Sequence, residues 1–169
     1  MTILRLLRSF LLTSGAVVGM ICIVLFAIGA FLHIKPAVVV SGSMAPTMPV
    51  GSLILERAVP AEQIGVGDVV TVPRPDVNGL VTHRVVSVEP LHDDIVSLVL
   101  KGDANTSEDP SPYLVRDVGL HVATVPLLGY LALFLRTPGG IAAVITGIVV
   151  MFILAVPGAR WFQRSPHTT

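Results

Sequence analysis

The sequence predicts a mainly β extracytoplasmic domain held between two transmembrane α-helices. Three observations carry that prediction: a charge-free apolar stretch near each end, short Val-, Ile- and Leu-rich runs between them, and Gly and Pro residues that bound those runs. Composition agrees, because 53% of the 169 residues are hydrophobic and only 13% are charged, far from the balance of a typical water-soluble domain. The apolar excess lies at the ends, which leaves room for one modest β domain between them.

No charged residue falls between Arg8 and Lys35, or between Arg136 and Arg160. Each gap exceeds the roughly 20 residues a helix needs to cross a bilayer. The expected organisation is therefore an N-terminal segment 1–10, a span 11–34, a β domain 35–137, a second span 138–158 and a tail 159–169. A cleavable secretory signal is the alternative for the first span, since Arg5 and Arg8 precede it and Ala27 and Ala30 imitate a cleavage site. Its length favours an uncleaved anchor, because signal cores run only about 7 to 15 apolar residues. The second span, centred on Ile141 to Val156, reaches spanning length only with Pro138, Gly139 and Gly140 or the tail near Pro157. Arg5, Arg8, Arg160 and Arg164 on the outer flanks outnumber Lys35 and Arg136 on the inner ones, which places both termini in the cytoplasm and the β domain outside the cell membrane.

Strands are expected at Ala37 to Val40, Ser52 to Glu56, Asp68 to Val72, Val81 to Val88 and Asp94 to Lys101, giving a small antiparallel barrel or folded sheet of five or six strands. Pro73 to Asp76 with Asn78-Gly79 reads as a hairpin connection. Val125 to Leu135 is apolar but too short to span, and either lies in the membrane surface or forms a buried strand and turn completing the β domain. A net charge of +0 and the lack of any basic run interleaved with aromatics give no basis for nucleic-acid binding. Cys22 is the only cysteine and lies inside the first span, so there is no internal disulfide.

Residues that carry chemistry cluster in the β region. Ser41-Gly42-Ser43-Met44-Ala45-Pro46 follows directly on the first span, His83 lies in Thr82-His83-Arg84-Val85-Val86, and Asp103 and Asp109 follow in Lys101-Gly102-Asp103 and Glu108-Asp109. Serine, histidine and aspartate are the parts of a hydrolytic triad. A serine hydroxyl needs a base within hydrogen-bond reach, and an imidazole with an unperturbed pKa of about 6.5 can be one. Either Asp103 or Asp109 can supply the acid behind it; Asp103 in its Lys-Gly-Asp turn and Asp109 before Pro110 each also admit a plain turn reading. Lys101 as base in a serine–lysine dyad is disfavoured, since a lysine must be desolvated to lose its proton. A metal centre of His83, His92 and His121 lacks a further ligand, and no cofactor is expected. His33 and His167 sit at a span end and in a polar tail.

Together these blocks resemble the type I signal peptidases, in the branch of the endoplasmic reticulum, archaea and some Gram-positive bacteria that uses histidine as base. The resemblance covers roughly residues 36 to 128. It implies Ser43 as nucleophile, His83 as base where the more widespread bacterial branch has lysine, Asp109 as the acid partnering histidine, and the Ser43 amide with the Ser41 hydroxyl as the oxyanion site. Gly67-Asp68-Val69-Val70 matches a third block. Lys101-Gly102-Asp103 matches a fourth, after which Ala104 stands where many members have asparagine, which puts a local hydrogen bond in question. The resemblance further implies a signal-peptidase-like antiparallel β fold and an endopeptidase that cuts signal-peptide-bearing preproteins after small residues beside the lipid bilayer. It tilts Val125 to Leu135 toward the membrane surface. A non-catalytic membrane-tethered β module, a peptidase of the same fold with a narrow substrate set, and a need for accessory subunits stay open.

Overall fold

The computed structural model describes residues 2–75 and 78–156. In chain order it forms α1 (Thr2–Phe31), β1 (Ile34–Val38), β2 (Leu53–Pro60), β3 (Val69–Pro73), β4 (Leu80–Pro90), β5 (Val96–Lys101), β6 (Tyr113–Val115), β7 (Asp117–Val125), α2 (Leu128–Leu135) and α3 (Pro138–Ala155), with a short 3-10 turn at Ala61–Gln63. These elements make two compact units, one of helical segments up to Phe26 and from Leu135, the other spanning Ala27–Phe134.

In the helical unit, Leu6–Phe31 and Pro138–Ala155 are both long and apolar enough to cross a membrane, with mean hydropathies of 2.6 and 2.3. Arg8 donates to the Ala155 carbonyl at 3.1 Å, so the N-terminal part of α1 meets the C-terminal end of α3, where a cation complements the helix dipole. Farther along, Gly15 leaves space that the Met151 methyl fills, since a Cβ there would lie 2.2 Å from it. The two helices therefore run antiparallel. Thr137 caps α3 by accepting from the Gly140 amide at 3.0 Å, with Pro138 at the first helical position where its missing amide hydrogen costs nothing.

The second unit is a curled, wholly antiparallel sheet in the order β1-β2-β7-β3-β4-β5-β6, consistent with a signal-peptidase-like β domain. Alternation sets its faces. Val81, His83 and Val85 of β4 are buried, whereas Thr82 and Arg84 are only partly so. One core gathers Val70, Val72, Val85, Leu98, Leu100 and Tyr113 among others; a smaller one holds Met44, Met48, Ile54 and Val69.

Several boundaries differ from the sequence reading, each for a local reason. The first helix ends at Phe31 rather than Ile34, because His33 turns left-handed (φ 54) while its amide bonds the Ala30 carbonyl. Asp93 and Asp94 are also left-handed, so β5 starts at Val96 and not at Asp94. β6 and β7 were not anticipated. β7 carries Gly119 and His121, which dilute its alternation, yet it pairs with both β2 and β3 and joins the two halves of the sheet. Val125 to Leu135 resolves into the end of β7, a turn and the short helix α2 with exposed Leu131 and Phe134, which removes the buried-strand alternative. The expected hairpin joins β3 to β4, closed by Arg74 N–H to the Gly79 carbonyl at 3.0 Å; Asp76 lies outside the described residues, as do Pro157, Arg160, Arg164 and His167.

α2 docks on the sheet through glycines. A Cβ at Gly129 would lie 2.6 Å from the Gly51 carbonyl oxygen, and Gly51, at φ +81, is covered by the Tyr130 ring. A side chain at position 51 meets both a left-handed backbone and that ring. Gly51→Ala is therefore expected to destabilise the β domain by about 1–3 kcal/mol, read as a lowered chemical-denaturation midpoint.

Candidate active site

The Ser43 turn is held by its neighbours. Met44 and Met48 are 2% and 0% exposed, so the residues after Ser43 are rooted in the smaller core. Backbone bonds from Ala45 N–H to Gly42 O (3.0 Å) and from Met48 N–H to Met44 O (2.8 Å) close the turn. Its outer wall is the segment after β5. There the Ala104 amide donates to the Ser43 carbonyl at 2.8 Å, and Gly102 passes so close that a Cβ would lie 2.7 Å from that same oxygen. The Ala104 departure noted in the sequence thus leaves the main-chain bond in place, and the adjacent Asn105 packs on Gly102.

β4 carries the next two groups at consecutive positions. The buried His83 donates from Nδ1 to Asp109 Oδ2 at 2.7 Å, and the Tyr113 hydroxyl donates to the same oxygen at 3.0 Å. Asp109 is itself fixed by its amide, which donates to Leu100 O at 2.8 Å. Arg84 instead takes Asp103 in a two-pronged grip, Nε to Oδ1 at 2.8 Å and a terminal nitrogen to Oδ2 at 2.7 Å, and also donates to Gly67 O at 2.8 Å. Thr47 adds a donation to Asp103 Oδ2 at 2.6 Å. The two candidate acids are therefore separated by hydrogen-bond partner: among the described residues Asp109 bonds the imidazole and Asp103 bonds the Arg84 guanidinium, while His83 acts on Asp103 only as a nearby charge. The Arg84 hydrogen bonds hold the Asp103 carboxyl below its ordinary value of 3.8, with Thr47 acting the same way.

The hydroxyls of Ser41 and Ser43 lie 3.3 Å apart. Ser43 opens into a cleft of about 320 Å³ lined by Val38, Val40, Met44, Ile54, Leu80 and Thr82 among others. His83 and Asp109 open into a neighbouring cleft of about 230 Å³ with Pro110 and Tyr113. Arg74 and Val81 line both, so the two clefts meet there. Among the described residues Ser43 and His83 make no direct hydrogen bond; such contacts are commonly long before substrate binds. Chemically the arrangement offers an imidazole whose Nδ1 is already committed to a carboxylate, leaving Nε2 to accept a proton, and a serine hydroxyl in the adjoining cleft.

The remaining singled-out residues stand apart. His121 bonds Thr124 through Nε2 at 2.8 Å, and burial pushes its imidazole below the usual value. His33, His92, Glu108 and Asp117 are exposed. The Gly67-Asp68 block is a turn leading into β3, with Gly67 at φ +98 and Asp68 Oδ2 accepting from the Gly65 amide at 2.9 Å. Thr47, Arg84 and Tyr113 were not picked out as individual site residues: Thr47 and Arg84 act on an acid distant in sequence, and Tyr113, four positions from Asp109, carries no motif of its own. Glu56 was likewise missed; its only sequence signal is a carboxylate after the apolar run Leu53-Ile54-Leu55, with Arg57 next to it.

Comparison with known proteins identifies the family of the chain. The model of the family described as signal peptidase, peptidase S26, matches residues 11–99, more than half of the chain. Signal peptidase I W of Bacillus subtilis is 39% identical over 75 residues, a stretch that is 44% of this chain and 38% of that protein. The match thus spans about two fifths of the relative's length.

Two outcomes follow from this geometry. Gly102→Ala would push its Cβ into the Ser43 carbonyl, so any hydrolytic activity is expected to fall about a hundredfold while circular dichroism stays native-like. Glu56 is buried, and desolvation raises its carboxyl above the ordinary 4.5. Its folded form favours the proton, so its stabilising share is intact below that value and is lost as pH rises through the elevated one. Melting curves across pH should show wild type losing ground to Glu56→Gln as pH increases.

Proposed function

Because the chain belongs to the signal peptidase family, peptidase S26, we propose that it is a membrane-bound serine endopeptidase that releases secreted preproteins by cutting their signal peptides after small residues. The observation that carries this reading is the 2.7 Å bond between His83 on β4 and Asp109 in the segment after β5. In this reading Ser43 is the nucleophile, His83 the base, Asp109 the triad acid, and Asp103 a positioning residue that holds the Ser43 turn.

The reaction runs as follows. Asp109 accepts from His83 Nδ1–H and fixes the tautomer, so Nε2 takes the Ser43 proton as Oγ attacks the scissile carbonyl. The Ser43 amide and the Ser41 hydroxyl meet the oxyanion. His83 returns the proton to the departing amine, the signal-peptide segment remains as an ester on Ser43, and a water deprotonated by His83 hydrolyses it. Tyr113, donating to the same Asp109 oxygen, keeps that carboxylate aimed at the ring.

Substrate geometry supports the same class. The cleft beside Ser43 is walled by the end of β1 and the start of β4, two backbone edges between which an extended peptide can lie as an added strand. Met44, Met48 and Ile54 close its floor, which suits small side chains before the cut. The β domain, 35–137 in the sequence reading, would face outward with both termini in the cytoplasm, following the flanking cations. The exposed apolar side chains of α2 would rest in the bilayer surface near the inserted signal peptide.

Incubating a purified preprotein with the detergent-solubilised chain tests this, with product mass as the readout. Cleavage after a small residue is expected from the parent and should fall at least about a thousandfold in Ser43→Ala and His83→Ala. Ser41→Ala should cost about a hundred- to a thousandfold in kcat. Equal cleavage by parent and Ser43→Ala would remove the mechanism.

A further inference from the structure

One buried carboxyl has no part in the mechanism above. Glu56, on β2, is only 6% exposed, and among the described residues it makes no ion pair. It reaches past β7 to β3. Gly119, which lies opposite Thr71 in the sheet, makes the passage possible, because a Cβ there would stand 3.2 Å from Glu56 Oε2. The Thr71 hydroxyl donates to Glu56 Oε1. Thr71 in turn lies 2.6 Å from the hydroxyl of Thr82, its partner across β3 and β4. Thr82 and Thr71 line the cleft that holds Ser43, whereas Glu56 lines a separate hollow on the other side of Thr71.

Counting hydrogens decides what Thr82 can offer. A hydroxyl has one hydrogen to give. Thr71 gives its own to Glu56, so in the 2.6 Å contact it must accept, and Thr82 must donate. The only hydrogen of Thr82 is thereby turned inward, and what faces the cleft is a lone pair. An extended peptide presents backbone N–H groups that such an acceptor can receive.

We propose that Glu56 is a positioning residue for substrate: through Thr71 it fixes the Thr82 hydroxyl as an acceptor for one backbone N–H of the peptide segment preceding the cut. This rests on the peptidase reading for the identity of the ligand. The relay needs Glu56 Oε1 to accept, as it does in a charged carboxylate and in a protonated one whose hydrogen sits on Oε2. Glutamine is therefore a fair replacement and leucine is not. Lys35 and His121 stand opposite Glu56 on β1 and β7, and neither makes an ion pair with it among the described residues.

The test uses the full chain in detergent with Ser43→Ala added, so that bound peptide is not consumed. Affinity is measured by fluorescence anisotropy for a labelled peptide covering the residues around a signal-peptide cut. Glu56→Leu and Thr71→Val should each weaken binding about three- to tenfold, the worth of one hydrogen bond, and Glu56→Gln less than about twofold. A second series replaces single peptide amides before the cut with esters. One position should lose about three- to tenfold against the parent and nothing further against Thr71→Val. Should Glu56→Leu fail to fold, Thr71→Val carries the comparison alone.

Equal affinities in all variants, or esters that all bind alike, would overturn the proposal while cleavage by the Ser43-containing chain left the peptidase reading standing. Relay-dependent binding without cleavage would do the reverse. Absence of peptide binding by the Ser43→Ala parent would also overturn the proposal.

Discussion

The grip of Arg84 on Asp103 is the constraint on which the rest of the site depends. It joins three parts of the chain that no local signal brings together: β4, the segment after β5, and the turn after β1. Asp103 receives both prongs of the guanidinium and the Thr47 hydroxyl, so the Ser43 turn is tied to the strand that carries His83. The Ala104–Ser43 main-chain bond and the close approach of Gly102 follow from that closure. A partly exposed ion pair adds little stability by itself. Its value here is geometric, because two-pronged contacts define orientation as well as distance.

The same closure divides labour between two acids six positions apart. Successive side chains on a strand point to opposite sides, so His83 and Arg84 meet different parts of the following segment. Asp109, bonded through its amide to Leu100, is presented to the imidazole, and Tyr113 at the start of β6 supports it. Had both acids met His83, the imidazole would sit between two charges and its orientation would be shared. With Asp103 held by Arg84, Asp109 is the one carboxylate that hydrogen-bonds the imidazole among the described residues. The sheet adds a second polar line, from Glu56 through Thr71 to Thr82, that reaches the cleft holding Ser43.

Much of this was legible in the sequence. Charge-free ends gave the two apolar helices, and Val-rich alternation gave β2 to β5 within a few residues. Ser43, His83 and the two acids were visible as residue types, and the family resemblance favoured Asp109 for the imidazole. What escaped had physical causes. β7 was hidden because Gly119 and His121 interrupt its pattern, although Gly119 is where Glu56 crosses. β6 is only three residues long, too short for periodicity to register. The partners of Asp103 lie 19 and 56 positions away, a pairing that only the folded sheet creates.

The central claim is that His83 and Asp109 act as one unit and that Asp103 acts elsewhere. A double-mutant cycle in single-turnover cleavage of a preprotein reads this directly. Groups that work as a unit are strongly non-additive, so Asp109→Asn should cost almost nothing further once His83→Ala is present. Asp103→Asn should retain most of its own penalty in the His83→Ala background. The reverse pattern, with Asp103 coupled to His83 and Asp109 additive, would contradict the account.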